Sequence, residues 1–247
     1  MTNFNDVVSQ FRIEGTVESV SPIGNGLINE TLRVKTVDAN TPDYILQRIN
    51  NAIFTDVDLL QHNIELVTDH IRHKLMEKGE TDIERKCLRF VQAKDGKTYY
   101  KDADNLYWRV SVFIPNAVTK EEVNPESAFC CGETFGNFQN MLVDLKEPLG
   151  ETIPDFHNME LRLRQLREAV SADKAGRVAS VKDMIAELES YADEMCLAER
   201  LYREGALPKR ICHCDTKVNN MMFDKDGKVL CVIDLDTVMP SFIFSDY

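Results

Sequence analysis

The segment His213-Cys214-Asp215-Thr216-Lys217-Val218-Asn219-Asn220 constrains this chain more than any other. It follows an apolar strand signal at Arg210–Cys212. Two further strand signals come after it, Met221–Phe223 and Val229–Ile233, joined by the turn Asp224-Lys225-Asp226-Gly227. The hairpin runs into Ile233-Asp234-Leu235-Asp236, whose first Asp lies fourteen residues beyond Asn220. A fold that accepts this pattern must bring polar residues from both ends of a short hairpin to one place.

The chemistry of that arrangement is specific. An Asp with a His two residues before it and an Asn five after it has the spacing of a loop that transfers phosphoryl groups. The Asp can accept the proton of an attacking hydroxyl, and the Asn carbonyl oxygen can bind a metal ion. Asp215 is therefore the candidate base and Asn220 a candidate ligand. Magnesium favours hard oxygen donors, often one or two carboxylates with phosphate and water. Asp234 is the preferred carboxylate ligand. Asp236, expected on the same strand face, is a second ligand or a supporting group. Cys212-His213-Cys214 invites a zinc reading, but no Cys-x-x-Cys pair supports it.

The upstream half reads as a sheet with one helix. Strands are expected at Thr16–Ile23, Leu27–Val37 and Tyr44–Ile49, and Leu32, Val34 and Thr36 alternate onto one face. Leu60, Ile64, Val67, Ile71 and Leu75 predict a helix over Asp56–Lys78, stopped at Gly79. Cys87–Ala93 and Thr98–Tyr100 look like a hairpin, and Leu106–Ile114 is a further strand ended by Pro115. From Pro125 helices dominate. Three apolar stripes, Phe129–Leu145, Met159–Val170 and Val178–Met195, read as ordinary core faces, with Gly205 capping the last. The division between lobes falls near Pro115–Glu122, giving segments 1–116 and 117–247.

Two upstream segments suit a nucleotide. In Ile23-Gly24-Asn25-Gly26-Leu27-Ile28-Asn29, glycines between strands allow close backbone approach to phosphates, although Asn-Gly is equally a hairpin turn. Gln47 stands on the third strand where a phosphate-binding Lys is expected, with Arg48 beside it. Alternation sends the two to opposite faces, and either could serve. Glu65 is the candidate helix partner. His157 and Asn158 lie in Thr152–Asn158, which groups aromatic, His and Asn side chains suited to a sugar; a capped helix start at Asn158 is the equal reading.

The net charge of −12 argues against nucleic acid and anionic membrane as partners. Seven scattered cysteines fit a reducing cytoplasmic compartment, and the first residues lack the pattern of a signal peptide.

The loop HCDTKVNNMMFD, the strand VLCVIDLDTVMP, the segment YILQRIN and the linker ETIPDFHN together resemble the N-acetylhexosamine 1-kinases. These belong to the aminoglycoside phosphotransferase and choline kinase-like superfamily. The resemblance implies an α+β, two-lobed, protein-kinase-like fold. Its first lobe is an antiparallel sheet with one helix, and its second is mainly helical. It implies ATP, Mg2+ and transfer of the γ-phosphoryl group to the anomeric hydroxyl of an N-acetylhexosamine. It makes Asp215 the base, Asn220 and Asp234 metal ligands, Gly24–Asn29 the phosphate loop, and Val112–Pro115, with Phe113 and Ile114, the adenine contact.

Two departures stand out. Ser241 follows Pro240 where that pattern has Gly, and where an aromatic-Gly-Asp stretch is expected to continue the chain stops at Asp246-Tyr247. Because members of that group continue with helices that close the sugar pocket, the chain is expected to be partial, with apolar faces left uncovered. Another small-molecule kinase of the superfamily, or an inactive nucleotide-binding fragment, are the alternatives.

Overall fold

The computed structural model describes residues 3–23 and 28–247. Its first element is a short helix not expected from the sequence, α1 (Phe4–Val8), capped by the Asn3 side chain, which accepts from the Asn5 N–H. Three strands follow: β1 (Val17–Pro22), β2 (Glu30–Thr36) and β3 (Tyr44–Ile49). The long helix α2 (Val57–Glu77) begins at Asp56, whose carboxylate accepts from the Leu59 N–H. It ends at Gly79, where φ is +69° and the Glu80 N–H returns to the Leu75 carbonyl. After α3 (Ile83–Lys86) come β4 (Phe90–Val91), β5 (Tyr100–Lys101) and β6 (Tyr107–Val112).

The six strands form one antiparallel sheet in the order β1-β2-β3-β6-β4, and β5 also pairs with β6. The hairpin expected between Cys87–Ala93 and Thr98–Tyr100 is therefore not a paired ladder. The turn itself closes, with Ala93 N–H on the Lys97 carbonyl. Both arms then leave it to pair with the longer β6, at Ser111 and Val110 for β4 and at Trp108 and Tyr107 for β5.

Side-chain alternation divides the sheet into two chemical faces. Leu32, Val34, Tyr44, Leu46, Trp108 and Val110 pack under α1, with Val7, Val8 and Phe11. Thr31, Gln47 and Arg109 fall on the opposite face, which turns toward α2 and the C-terminal half. The expected row Leu32, Val34 and Thr36 is buried throughout.

The second half holds α4 (Pro125–Met141), α5 (Met159–Ala172), α6 (Lys182–Ser190), α7 (Ala192–Met195) and α8 (Leu197–Arg203). Four short strands follow: β7 (Arg210–Cys212), β8 (Met221–Phe223), β9 (Val229–Val232) and β10 (Met239–Ser241). β8 and β9 make the expected hairpin, whereas β7 pairs with β10. One core joins the two halves: Leu60, Ile64 and Val67 of α2 pack with Phe138 of α4, with Leu142 at its C-cap, and with Leu235 and Val238. Asn63, fully buried on α2, completes the joint, because its amide contacts both Gly150 and the Val238 carbonyl.

The three helical stripes do not behave alike. Phe135, Phe138 and Leu142 are buried as expected, but Phe129, on the same stripe, is 76% exposed. No residue of α5 or α6 is buried, so the reading of those stripes as core faces is corrected. The helices pack chiefly against short α7, and the Arg167–Glu189 ion pair joins them at the surface. The third stripe is also broken into separate helices rather than one. None of the described helices is long and apolar enough to cross a membrane.

Candidate active site

The loop between β7 and β8 is built around His213. Its ring is buried against Phe135 and Phe138, with centroid distances of 5.0 and 5.8 Å. Nε2 lies 2.9 Å from the Ile233 carbonyl, and Nδ1 faces the Asp215 N–H at 3.3 Å. An amide N–H must meet an acceptor, so the ring carries its proton on Nε2. Burial holds its pKa below the usual histidine value, which keeps it neutral. His213 thus ties the start of the loop to the residue before Asp234.

Asp215 faces two partners. Lys217 Nζ is 2.8 Å from its Oδ2, and Asn220 Nδ2 donates to the same oxygen at 2.9 Å and to the Asp215 carbonyl at 2.8 Å. With its amide nitrogen spent on Asp215, Asn220 has its oxygen left to act as a ligand. The Ile233 N–H binds the Asn220 carbonyl at 2.9 Å, which brings the residue before Asp234 alongside.

Asp234 is not on a strand. β9 ends at Val232, and Asp234 adopts a left-handed conformation, φ +60°, leading into a 3-10 turn over Leu235–Thr237. The expectation that Asp234 and Asp236 share a strand face is corrected accordingly. Desolvation, and then the neighbouring Asp236, push the Asp234 carboxyl up to about 6, with Asp215 adding and Arg109 and Lys217 opposing. The side chain nevertheless keeps an open face to solvent, which limits the energy at stake. The Asp236 side chain is buried, and both of its oxygens are occupied, by Arg109 at 2.5 and 3.0 Å and by Asn29 Nδ2 at 2.6 Å.

The donors Asn220 Oδ1 and the Asp234 carboxylate are hard oxygens and suit Mg2+. Among the described residues no group of three or more His, Cys, Asp or Glu forms a metal site. An ion held here needs further oxygens, which a bound phosphate supplies. If Asp234 is a ligand, its carboxylate must be ionised, and Mg2+ affinity in the presence of ADP would then fall roughly tenfold per pH unit below about 6 and level off above 7. An Asp at the ordinary 3.8 would leave the affinity flat to pH 5. Fluorescent-nucleotide titrations from pH 5 to 8, corrected for proton binding by the nucleotide, measure this.

The other expected site residues separate into groups. Asn29 is drawn in: besides Asp236, it accepts the Asn50 N–H at 2.9 Å. Gln47 faces the same side, accepting from Arg109 Nε at 3.0 Å and donating to Thr31 at 3.3 Å. Arg48 points to the other face of the sheet, where it pairs with Glu30. Glu65 binds the Thr98 hydroxyl rather than a β3 side chain; Gln61, one turn earlier, reaches Arg109 at 3.4 Å. In the connector, Ile114 is buried, and Phe113 lies under the Arg33 guanidinium, its N–H on the Asp43 carbonyl. Gly24, Asn25 and Gly26 lie outside the described residues.

Asn158 is the N-cap of α5: it accepts the Leu161 N–H and donates to Asp155. His157 stacks on Phe156 at 4.6 Å, and its Nδ1 is buried without a partner. Burial lowers its pKa, while the charges of Asp246 and Asp215 act to raise it. It lines a small cavity with Glu199, Lys209, Cys214 and Ser241.

Three residues of this neighbourhood were missed in the sequence. Lys217, two after Asp215, was visible as the one cation inside the loop. Arg109 was visible as a charge within the apolar run YWRVSV. Asp246 carried no local signal, because its partners lie 32, 33 and 107 residues away. Its carboxylate accepts the His213 N–H at 2.8 Å, the Cys214 N–H at 2.7 Å and Gln139 Nε2 at 2.8 Å.

A sheet-and-helix half joined to a mainly helical half, with the Asp215 loop and an acidic turn at the junction, defines a kinase-like phosphotransferase fold. The model of the phosphotransferase enzyme family known as APH matches residues 19–247, and the chain belongs to that family. Solved structures agree in fold. An aminoglycoside phosphotransferase from Alicyclobacillus acidocaldarius is similar at TM-score 0.60 and 17% identity, over 100% of this chain and 69% of that one. A spectinomycin phosphotransferase in complex with ADP and spectinomycin gives 0.60 and 13%, over 100% and 72%. A GDP and kanamycin complex of a further member gives 0.59 and 15%, over 99% and 75%.

Proposed function

We propose that this chain is an ATP-dependent small-molecule kinase whose acceptor is the anomeric hydroxyl of an N-acetylhexosamine. The observation that carries the kinase reading is the grouping of Asp215, Lys217 and Asn220 in one loop tied through His213 and Ile233 to Asp234. The nucleotide is supported by the complexes of ADP and GDP among proteins of this fold. The sugar rests on the resemblance of the four segments quoted above. Segments 1–116 and 117–247 are the two lobes of this reading.

The chain's residues divide the work. Asp215 accepts the hydroxyl proton as the acceptor oxygen bonds to the γ-phosphorus and the bond to the ADP oxygen breaks. Lys217 offsets charge beside that carboxylate. Asn220 and Asp234 are the residues that hold Mg2+, which when bound neutralises phosphate charge. Asn29 lies on the phosphate side of the site, braced by Asp236 and Asn50, and Phe113 and Ile114 flank the adenine. His157, with an unused ring nitrogen close enough to feel the charge of Asp215, contacts the acceptor, with Asn158 holding the helix start beside it.

The aminoglycosides bound by similarly folded proteins favour a second reading, in which the acceptor is an amine-bearing alcohol. A panel of N-acetylglucosamine, N-acetylgalactosamine, kanamycin and choline, incubated with ATP and Mg2+, separates the two by phosphorus NMR. An anomeric phosphate doublet is the expected result. Phosphorylation only of a ring hydroxyl or an amino alcohol would sink the sugar reading. ADP release with no acceptor in the panel would point to neither, and a chain that binds nucleotide without releasing ADP is the inactive fragment.

A further inference from the structure

Arg109 is the most enclosed cation of the junction, its side chain only 3% exposed. Nε donates to Gln47 Oε1, Nη1 to Asp236 Oδ1 and Gln61 Oε1, and Nη2 to Asp236 Oδ2. Gln47 lies directly across from Arg109 in the β3–β6 register, and Thr31 directly across from Gln47 in β2–β3. A hydrogen-bonded row therefore runs across three strands and ends on the carboxylate of Asp236. Asn29 completes the enclosure from the start of β2, and Thr152 Oγ1 holds the Asp236 carbonyl at 2.8 Å.

Three features say what this row does. Gln47 carries no charge, and Arg48 faces away, so β3 contributes no cation to the junction. Both Asp236 oxygens are occupied by N–H donors, so neither has a lone-pair direction as free as those of Asp234. Asp234, two residues earlier, is held in a left-handed conformation that a non-glycine residue keeps only where its surroundings enforce it. The clamp on Asp236 sits two residues downstream of that conformation.

We propose that Arg109 and Asp236 form the positioning pair of the metal turn. Arg109 supplies from β6 the ionic link between sheet and turn that β3 lacks. Asp236 anchors the turn and stays out of the ion's coordination. Asp234 is thereby presented as the sole carboxylate of the pair Asp234/Asp236 available to the metal. This rests on the phosphotransferase reading of the site.

The test reads Mg2+ half-saturation through a fluorescent ADP analogue, with metal-free nucleotide affinity and the thermal midpoint measured in parallel. Arg109→Lys keeps the charge but loses the bidentate geometry. It is expected to raise Mg2+ half-saturation about tenfold or more, the usual cost of losing a residue that orients a metal ligand. Arg109→Gln and Asp236→Asn should do the same, and the double variant should be no worse than either, since both remove one interaction. Metal-free nucleotide affinity should stay within about twofold. If Arg109→Gln does not fold, Arg109→Lys carries the comparison.

The idea fails if Asp236→Asn abolishes metal dependence while Arg109→Lys matches the parent, because Asp236 is then itself a ligand. It fails equally if only the thermal midpoint moves, which is a purely structural role, or if metal-free affinity collapses, which makes Arg109 a direct phosphate contact. A parent chain that shows no Mg2+-dependent nucleotide binding overturns the phosphotransferase reading, and this inference with it.

Discussion

Asp215→Asn is expected to reduce turnover by about 10²- to 10⁴-fold, the range spanned by loss of a general base. The substitution preserves shape. One side-chain oxygen remains to accept from Asn220 Nδ2, which now binds Asp215 at 2.9 Å, and the Asn220 contact to the main-chain carbonyl is untouched. What disappears is the negative charge proposed to take the acceptor proton, which Lys217 faces at 2.8 Å. Nucleotide affinity should hold, because the proposed phosphate and adenine contacts lie on other elements. ADP release and fluorescent-nucleotide binding, measured on one preparation, check both halves. Turnover equal to that of the parent removes Asp215 as the base.

Asp246→Ala should act through the same loop from behind. It strands the main-chain N–H groups of His213 and Cys214, both buried, and releases Gln139. Cys214 sits at φ +64°, a conformation that costs a non-glycine residue about 1 kcal/mol and that these hydrogen bonds maintain. Losing two charge-assisted bonds should lower stability by about 2–4 kcal/mol, read as a shift of the urea midpoint. Turnover should fall about 100-fold at temperatures where the variant is still folded, because the loop that carries Asp215 loses its brace. Asp246→Asn, which keeps an acceptor, should recover part of both losses. If stability drops while turnover per folded molecule is unchanged, the brace has no catalytic consequence.

The two residues illustrate unequal legibility. Asp215 could be found because its loop, the hairpin behind it and Asp234 are linked by short stretches of chain, and their spacing is itself the signal. Helix α2 was legible for the same reason: its cap, its apolar repeat and its stop at Gly79 are local. Asp246 was not legible, because its partners on the loop and on α4 lie 32, 33 and 107 residues away. Glu65 was chosen on helix α2 by the expectation of a cation on β3. The register of β3 against β6 instead gave Gln47 an Arg109 partner and made Gln61 the helix residue that reaches it. Phe129 followed the same repeat as Phe135 and Phe138, yet lies outside the contact surface, since periodicity names a face but not its width.

By itself the sequence determined the elements marked by local pattern and by pairing between neighbouring stretches of chain: the strands β1 to β3, the helix α2, the hairpin β8–β9 and the order of Asp215, Asn220 and Asp234 along the chain. Those depend on backbone propensity, side-chain period and turn chemistry, all short-range terms. Tertiary structure decided which cation meets which carboxylate. Arg109 and Asp236 are 127 residues apart, and a buried charge is stable only where packing excludes water and supplies every donor with an acceptor. Only the assembled sheet, helix and turn meet that condition.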